Sequence, residues 1–301
     1  MAWQFEPVAG PFAFTEGPVW TGDAVLFTDI PNNRIMRYDP QTHTCTEYRT
    51  GTNGANGLAL DGEGNIYVCE GAFDPNATEF DGSHPGRGIA RYGTDGSTTS
   101  LADHFEGKRF NSPNDLAIDS QGRIWFTDPR YGDDRSNMEL DHESIFRLDP
   151  QSDDTWDVVR VSFDTTRPNG LLVTPDLKTL YVAQSEYGEN KKRELRAYPI
   201  QDDGTLGTHE VLHNFYPHRG IDGMTLDASE NIVATAGWAQ SGPGPMIYVF
   251  TPQGRVLETH PMPANPTNCT FGDSDLQTLY VTAVDGHLYR AETDRKGLGS
   301  S

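Results

Sequence analysis

The chain has 301 residues, long enough for a large core and for one closed domain over residues 1–301. Its net charge of −21, from 23 basic and 44 acidic residues, repels phosphate backbones and anionic bilayers, so neither nucleic acid nor a membrane is expected as a partner. The longest apolar runs have only the length of strands, too short to cross a bilayer.

In chain order, an extended segment at residues 5–12 comes first. It is followed by Glu16-Gly17-Pro18-Val19, a polar turn at Gly22-Asp23, the run Val25-Leu26-Phe27-Thr28 and a third strand at 34–38. The pattern then returns. Asn56-Gly57-Leu58 leads through Asp61-Gly62-Glu63-Gly64 to Ile66-Tyr67-Val68-Cys69 and a strand at 88–92. Asn114-Asp115-Leu116 leads to Ile124-Trp125-Phe126-Thr127, to 144–148, and to the clearest fourth strand, Asp157-Val158-Val159-Arg160-Val161. Asn169-Gly170-Leu171 precedes Leu180-Tyr181-Val182-Ala183 and 194–198. Asp222-Gly223-Met224 precedes Ile232-Val233-Ala234-Thr235 and 246–250. Asn268-Cys269-Thr270 precedes Leu279-Tyr280-Val281-Thr282 and 287–290.

β-Branched and aromatic residues bounded by Gly, Asp, Asn and Pro signal strands and hairpins. The openings recur at intervals of 40, 58, 55, 53 and 46 residues, the period of a repeat architecture. Six units of four antiparallel strands predict an all-β fold, a six-bladed β-propeller. The sixth repeat ends too early for a fourth strand, so residues 5–12 are expected to pair there and close the ring. The competing arrangement is an open β-sandwich with coincidental spacing.

In a propeller the first strand of each blade lines the central channel, and its opening residue sits near the axis at one mouth. Glu16, Asn169 and Asp222 would supply two carboxylates and one amide oxygen, with Asn114 a candidate fourth ligand. An all-oxygen set without histidine or cysteine favours a hard divalent cation, Ca²⁺, Mg²⁺ or Mn²⁺. Without a metal, Glu16 and Asp222 would repel each other in a confined channel. Asn-Gly and Asp-Gly pairs also make hairpin turns. For Asn56 and Asn268, turn or channel-lining hydrogen bonding and ligand binding both stay open; Asp81-Gly82 and Asp95-Gly96 read as turns only. His218 precedes Asp222 by four residues and could reach the mouth, although a surface-loop place is the better reading. The basic run Lys191-Lys192-Arg193 reads as a solvated hairpin tip.

The three cysteines, Cys45, Cys69 and Cys269, show no CxxC spacing and suit a reducing cytosol better than a disulfide framework. Met1-Ala2-Trp3-Gln4-Phe5-Glu6 lacks the basic and apolar regions of a signal peptide. A cytoplasmic monomer or small homo-oligomer is therefore expected. No GxSxG, HExxH, P-loop or GxGxxG pattern is present.

Five motifs in order carry a family resemblance. They are Phe14-Thr15-Glu16-Gly17-Pro18-Val19-Trp20, Lys108-Arg109-Phe110-Asn111-Ser112-Pro113-Asn114-Asp115, Trp125-Phe126-Thr127-Asp128-Pro129-Arg130-Tyr131-Gly132, Arg167-Pro168-Asn169-Gly170 and Asp222-Gly223-Met224. Together they resemble the senescence-marker-protein / gluconolactonase / regucalcin family, most closely its bacterial gluconolactonase branch, over nearly the whole chain. The resemblance implies a metal-dependent hydrolase opening the ester ring of a sugar lactone, with one divalent ion, Ca²⁺ first and Mg²⁺, Mn²⁺ or Zn²⁺ as alternatives. It implies Glu16, Asn169 and Asp222 as ligands, Asp222 also as general base, and Asn114 as a substrate contact. Asn56, Arg130, Tyr131 and Glu70 are further candidate substrate contacts.

The chain departs from the family pattern at four places. Ser112 stands where the animal branch has arginine, and Arg130 where the bacterial branch often has a second proline. Gly71 stands where a histidine is usual, and residues 74–86 form an insertion at the channel mouth. Two other readings share the scaffold: a calcium-dependent organophosphate-hydrolysing propeller of the phosphotriesterase type, and a non-catalytic binding propeller.

Overall fold

The turns between first and second strands show why the chain reverses where it does. Asp61 Oδ1 accepts the amides of Glu63 and Asn65 at 2.9 Å each. Asp119 does the same for Gln121 and Arg123, at 2.9 and 3.0 Å. Asp227 repeats it with Ser229 and Asn231, at 2.8 and 2.9 Å. A side-chain carboxylate that takes the amides two and four residues on pins the reversal locally.

In this computed structural model, residues 2–71, 87–131, 135–153, 155–186 and 191–299 are described. The predicted insertion at 74–86 lies outside them.

Six four-stranded antiparallel sheets follow one another as blades. Blade 1 comprises Thr15–Trp20, Val25–Asp29, Arg34–Asp39 and Thr44–Thr50. Blade 2 comprises Ala55–Leu60, Ile66–Glu70, Gly88–Tyr92 and Thr98–Ala102. Blade 3 comprises Leu116–Ile118, Ile124–Asp128, Ser144–Pro150 and Trp156–Arg160. Blade 4 comprises Pro168–Val173, Thr179–Ser185, Arg193–Pro199 and Glu210–Asn214. Blade 5 comprises Ile221–Leu226, Ile232–Trp238, Ser241–Phe250 and Val256–Pro261. Blade 6 has Pro266–Gly272, Thr278–Ala283 and Leu288–Glu292, and takes its fourth strand from Glu6–Ala9.

That last pairing closes the ring as the sequence predicts, with Glu6 opposite Arg290 and Pro7 opposite Tyr289. Each first strand packs against the first strands of both neighbouring blades, from blade 1 through blade 6 and back to blade 1. The fold is a six-bladed β-propeller. A short hairpin ahead of blade 3, His104–Phe105 with Lys108–Arg109, is an addition that the repeat pattern does not announce.

Among the described residues the core is not one mass but six, each wedged between adjacent blades. Val25, Phe27, Met36 and Tyr38 of blade 1 meet Tyr280 and Leu288 of blade 6. Trp125 and Ile145 of blade 3 meet Leu171, Leu180 and Val182 of blade 4. Strands clamped on both faces are buried without interruption, as at Val25–Asp29 and Ile124–Asp128. Outer strands such as Thr44–Thr50 are mostly exposed, which is why their apolar signal is weak. Hydroxyls near the axis bond one blade to the next. Thr28 Oγ1 donates to the Asn56 carbonyl at 3.1 Å, and Thr235 Oγ1 donates to the Thr267 carbonyl at 2.7 Å.

All three cysteines are free thiols; Cys69 and Cys269 are buried and Cys45 is half-buried. Among the described residues no helix is long and apolar enough to cross a membrane.

Candidate functional site

Channel-lining strands begin with a break in their ladders. The register shifts between Glu16 and Val19, Ala55 and Leu58, Pro168 and Leu171, Ile221 and Met224, and Pro266 and Cys269. Bulges of this kind bend a strand and re-aim a side chain. In register, the residues entering the channel are Glu16, Asn56, Asn114, Asn169, Asp222 and Thr267. The next residues are Gly17, Gly57, Asp115, Gly170, Gly223 and Asn268. Thr267, not Asn268, is thus the sixth opening residue, because Pro266 pairs with Ala283 and Cys269 with Val281.

The upper layer centres on Asp222. Asn169 Nδ2 donates to Asp222 Oδ1 at 2.5 Å and to the Tyr131 hydroxyl at 2.5 Å. Arg219 donates to the other carboxylate oxygen, Oδ2. The second guanidinium nitrogen of Arg219 reaches the carbonyls of Gly237 and Pro266, both at 3.1 Å. Tyr131 is steadied by the Arg167 guanidinium, 5.4 Å from its ring centre. Glu16 Oε2 accepts the Gly17 amide at 2.7 Å.

The lower layer is formed by two side chains from blades on opposite sides of the ring. Asn268 Nδ2 donates to Asp115 Oδ2 at 3.3 Å. The Leu116 amide holds Asp115 Oδ1 at 2.9 Å, and the Cys269 amide holds Asn268 Oδ1 at 2.8 Å. Glycine in the neighbouring blades makes room for them. A Cβ on Gly57 would lie 2.5 Å from Asp115 Oδ1, and one on Gly223 would lie 2.1 Å from Asn268 Oδ1.

Electrostatics ties the layers together. Burial first, then the negative charges of Asp222 and Asp115, push the Glu16 carboxyl well above the usual range; the Gly17 and Asn268 N–H groups oppose this. Burial also raises Asp222, against the Arg219 guanidinium and the Asn169 amide. Asp115 is pushed up to about 7 by burial, against N–H groups of Leu116 and Asn268, with the Asp222 charge adding to the rise.

Three buried carboxylates, with the Asp222 charge raising both Glu16 and Asp115 and the Arg219 guanidinium on Asp222 itself, suit a hard divalent cation. Among the described residues no three His, Cys, Asp or Glu side chains form a metal cage by themselves. A metal site here would draw on Asn169 as well. The nitrogen of its carboxamide faces Asp222, and a half-turn about the last side-chain bond presents the oxygen instead.

The other predicted contacts divide. Asn56 and Asn114 stand at the entry register, and among the described residues neither carboxamide forms a hydrogen bond. Tyr131 lies in the site. Arg130, next to it in sequence, donates its backbone N–H to Glu143 at 2.8 Å and bonds Asn137 through its side chain. Glu70 accepts from the Tyr92 hydroxyl at 2.6 Å and from Asn53 at 3.1 Å. His218 packs in a loop against Gly242. Two departures from the family pattern touch: Ser112 Oγ donates to the Gly71 carbonyl at 3.1 Å. Sequence reasoning missed Asp115, Arg219 and the lower-layer place of Asn268. The signal for the lower layer was the glycine that follows the opening residue, in Glu-Gly, Asn-Gly or Asp-Gly, and is absent only in blades 3 and 6.

Comparison with known proteins agrees with this architecture. A gluconolactonase of Zymomonas mobilis is 30% identical over 308 residues, covering 92% of this chain and 78% of that protein. A 6-deoxy-6-sulfogluconolactonase of Pseudomonas putida is 26% identical, covering 92% and 85%. The structure of a gluconolactonase from Xanthomonas campestris superposes with a TM-score of 0.78 at 29% identity, covering 96% of this chain and 89% of that one. The model of the SMP-30/gluconolactonase/LRE-like region matches residues 14–285. With that match reaching from blade 1 into blade 6, the chain belongs to the SMP-30/gluconolactonase/LRE-like family.

Proposed function

We propose that this protein is a metal-dependent hydrolase that opens the ester ring of a sugar lactone. The lactonase class is supported by relatives named gluconolactonase, 6-deoxy-6-sulfogluconolactonase and pentonolactonase, each matched over at least 90% of this chain. The observation that carries the metal dependence is the contact of Asn169 with Asp222, with the Glu16 carboxyl in the same layer raised by the Asp222 charge.

Glu16, Asn169 and Asp222 would hold the ion. When bound, it would supply Lewis-acid polarisation of the lactone carbonyl. The protein's own groups do the rest. Asp222 orients a water and takes its proton as the water oxygen bonds to the carbonyl carbon. The tetrahedral adduct then collapses, the bond from carbonyl carbon to ring oxygen breaks, and that oxygen leaves as a hydroxyl. Its proton comes from Asp222 or from solvent, so the product is the open hydroxy acid. Arg219 holds Oδ2 of Asp222, fixing the direction in which the carboxylate accepts. Asn114 and Asn56 offer their carboxamides to substrate hydroxyls, and Tyr131 borders the same space.

The test is a panel of aldonolactones and a fluorophosphate ester, run with metal-depleted protein and with Ca²⁺, Mg²⁺, Mn²⁺ and Zn²⁺ added back singly. Lactone opening restored by a divalent ion is expected. Metal-independent turnover would remove the cation from the account, and preference for the fluorophosphate would replace the reaction.

A further inference from the structure

The lower layer of the channel is not explained by lactone chemistry, since its two side chains lie beneath the residues that would meet substrate. Four blades place glycine at this level, and only blades 3 and 6 send a side chain to the axis. Those two are an acid and an amide. An amide at both positions would close the channel equally well by volume, so the charge of Asp115 calls for a separate reason.

Asn268 supplies the connection. Its side chain donates to Asp115, and its N–H groups also favour the charged form of Glu16, so one carboxamide lies between the lower acid and an upper-layer residue. Both oxygens of Asp115 are engaged from below or across the axis, by Leu116 and Asn268. The carboxylate is therefore fixed in place and acts on the upper layer through its field. The ionised set of Glu16, Asp115 and Asp222 with Arg219 has a net charge of −2, which a dication neutralises. Without Asp115, the same set would be over-neutralised.

We propose that Asp115, held by Asn268, is a positioning residue that sets the negative charge a divalent cation balances at Glu16, Asn169 and Asp222, without being one of its ligands. The inference rests on the metal-dependent reading above and extends it to a residue outside the ligand set.

Charge and mere packing differ in one respect. Removing a fixed charge weakens binding in proportion to the charge of the ion, whereas a disturbed scaffold weakens all ions alike. The experiment is isothermal titration of metal-depleted wild type, Asp115→Asn and Asn268→Asp with Ca²⁺ and with Tb³⁺, after thermal unfolding confirms that each variant folds. Asp115→Asn should bind Ca²⁺ about tenfold or more weakly, in the range of outer-shell substitutions, and should lose still more affinity for Tb³⁺. Asn268→Asp adds a charge and should raise the preference for Tb³⁺ over Ca²⁺; it carries the test if Asp115→Asn does not fold. Unchanged Ca²⁺ affinity in Asp115→Asn, or equal losses for both ions, would overturn the proposal. Failure of wild type to bind either ion would overturn the metal-dependent reading and this inference with it.

Discussion

Arg219 closes on Asp222 from three residues upstream, placing its guanidinium on Oδ2 while Asn169 occupies Oδ1. The carboxylate is thus held at both ends by side chains from two blades. Asp222→Asn keeps the shape and removes the proton acceptor. Turnover should fall by about 10²–10⁴-fold at saturating metal, the usual size of a general-base contribution. Steady-state kinetics checks it, and a wild-type kcat would refute the assignment.

Arg219 also spans to the Gly237 and Pro266 carbonyls and stacks over Trp238, 5.7 Å from the ring centre. A lysine cannot reproduce that fork, because its ammonium is a single point donor on a flexible stem. Arg219→Lys should therefore lower kcat/KM nearly as much as Arg219→Met. Full rescue by lysine would mean that only the charge matters there.

Thr235 illustrates how the ring supports the site. Its hydroxyl accepts the Gly223 amide at 2.9 Å and donates to the Thr267 carbonyl at 2.7 Å. Thr235→Val keeps the volume but strands a buried N–H and a buried carbonyl. A loss of about 1–3 kcal/mol in urea unfolding is expected. Because Gly223 follows Asp222, kcat should fall too; loss of stability with unchanged kcat would separate the ring from the site.

The Asp128 carboxylate accepts the Asn111 and Ser112 amides at 2.8 and 2.7 Å, shaping the loop that delivers Asn114. Burial pushes it up to about 7, against those two amides and the Arg87 charge. Its folded value lies above its unfolded one, so the native state binds the extra proton. The stability from that proton is full below pH about 4 and is lost as pH rises toward 7. Asp128→Asn does not titrate. The advantage of wild type over this variant should therefore shrink between pH 5 and pH 8, read as the difference in Tm; a constant or growing gap would contradict the sign.

Strand order, blade number and the closing N-terminal strand were legible because paired burial on both faces writes itself as repeated apolar runs. The entry residues Glu16, Asn169 and Asp222 were legible because four openings share an Asx-Gly or Glu-Gly pair. Blade 6 misled by one position: Asn268 looks like an opening residue, yet the bulge after Pro266 gives that place to Thr267. Glu70 shows the opposite limit. Its register equivalents Asp29, Asp128 and Gln184 each accept an amide from the loop entering their own blade, as Glu70 accepts from Asn53. A carboxylate at this position can serve the scaffold and a substrate alike, and its sequence signature is the same for both. Arg219 escaped notice because its partner is chosen by the loop's path, which no local pattern encodes.

The most direct measurement is anomalous diffraction from crystals soaked in Mn²⁺. One peak should lie within bonding distance of Glu16, Asn169 and Asp222, above the Asp115–Asn268 layer. A peak elsewhere, or no peak in the channel, would contradict the claim that these residues share an ion.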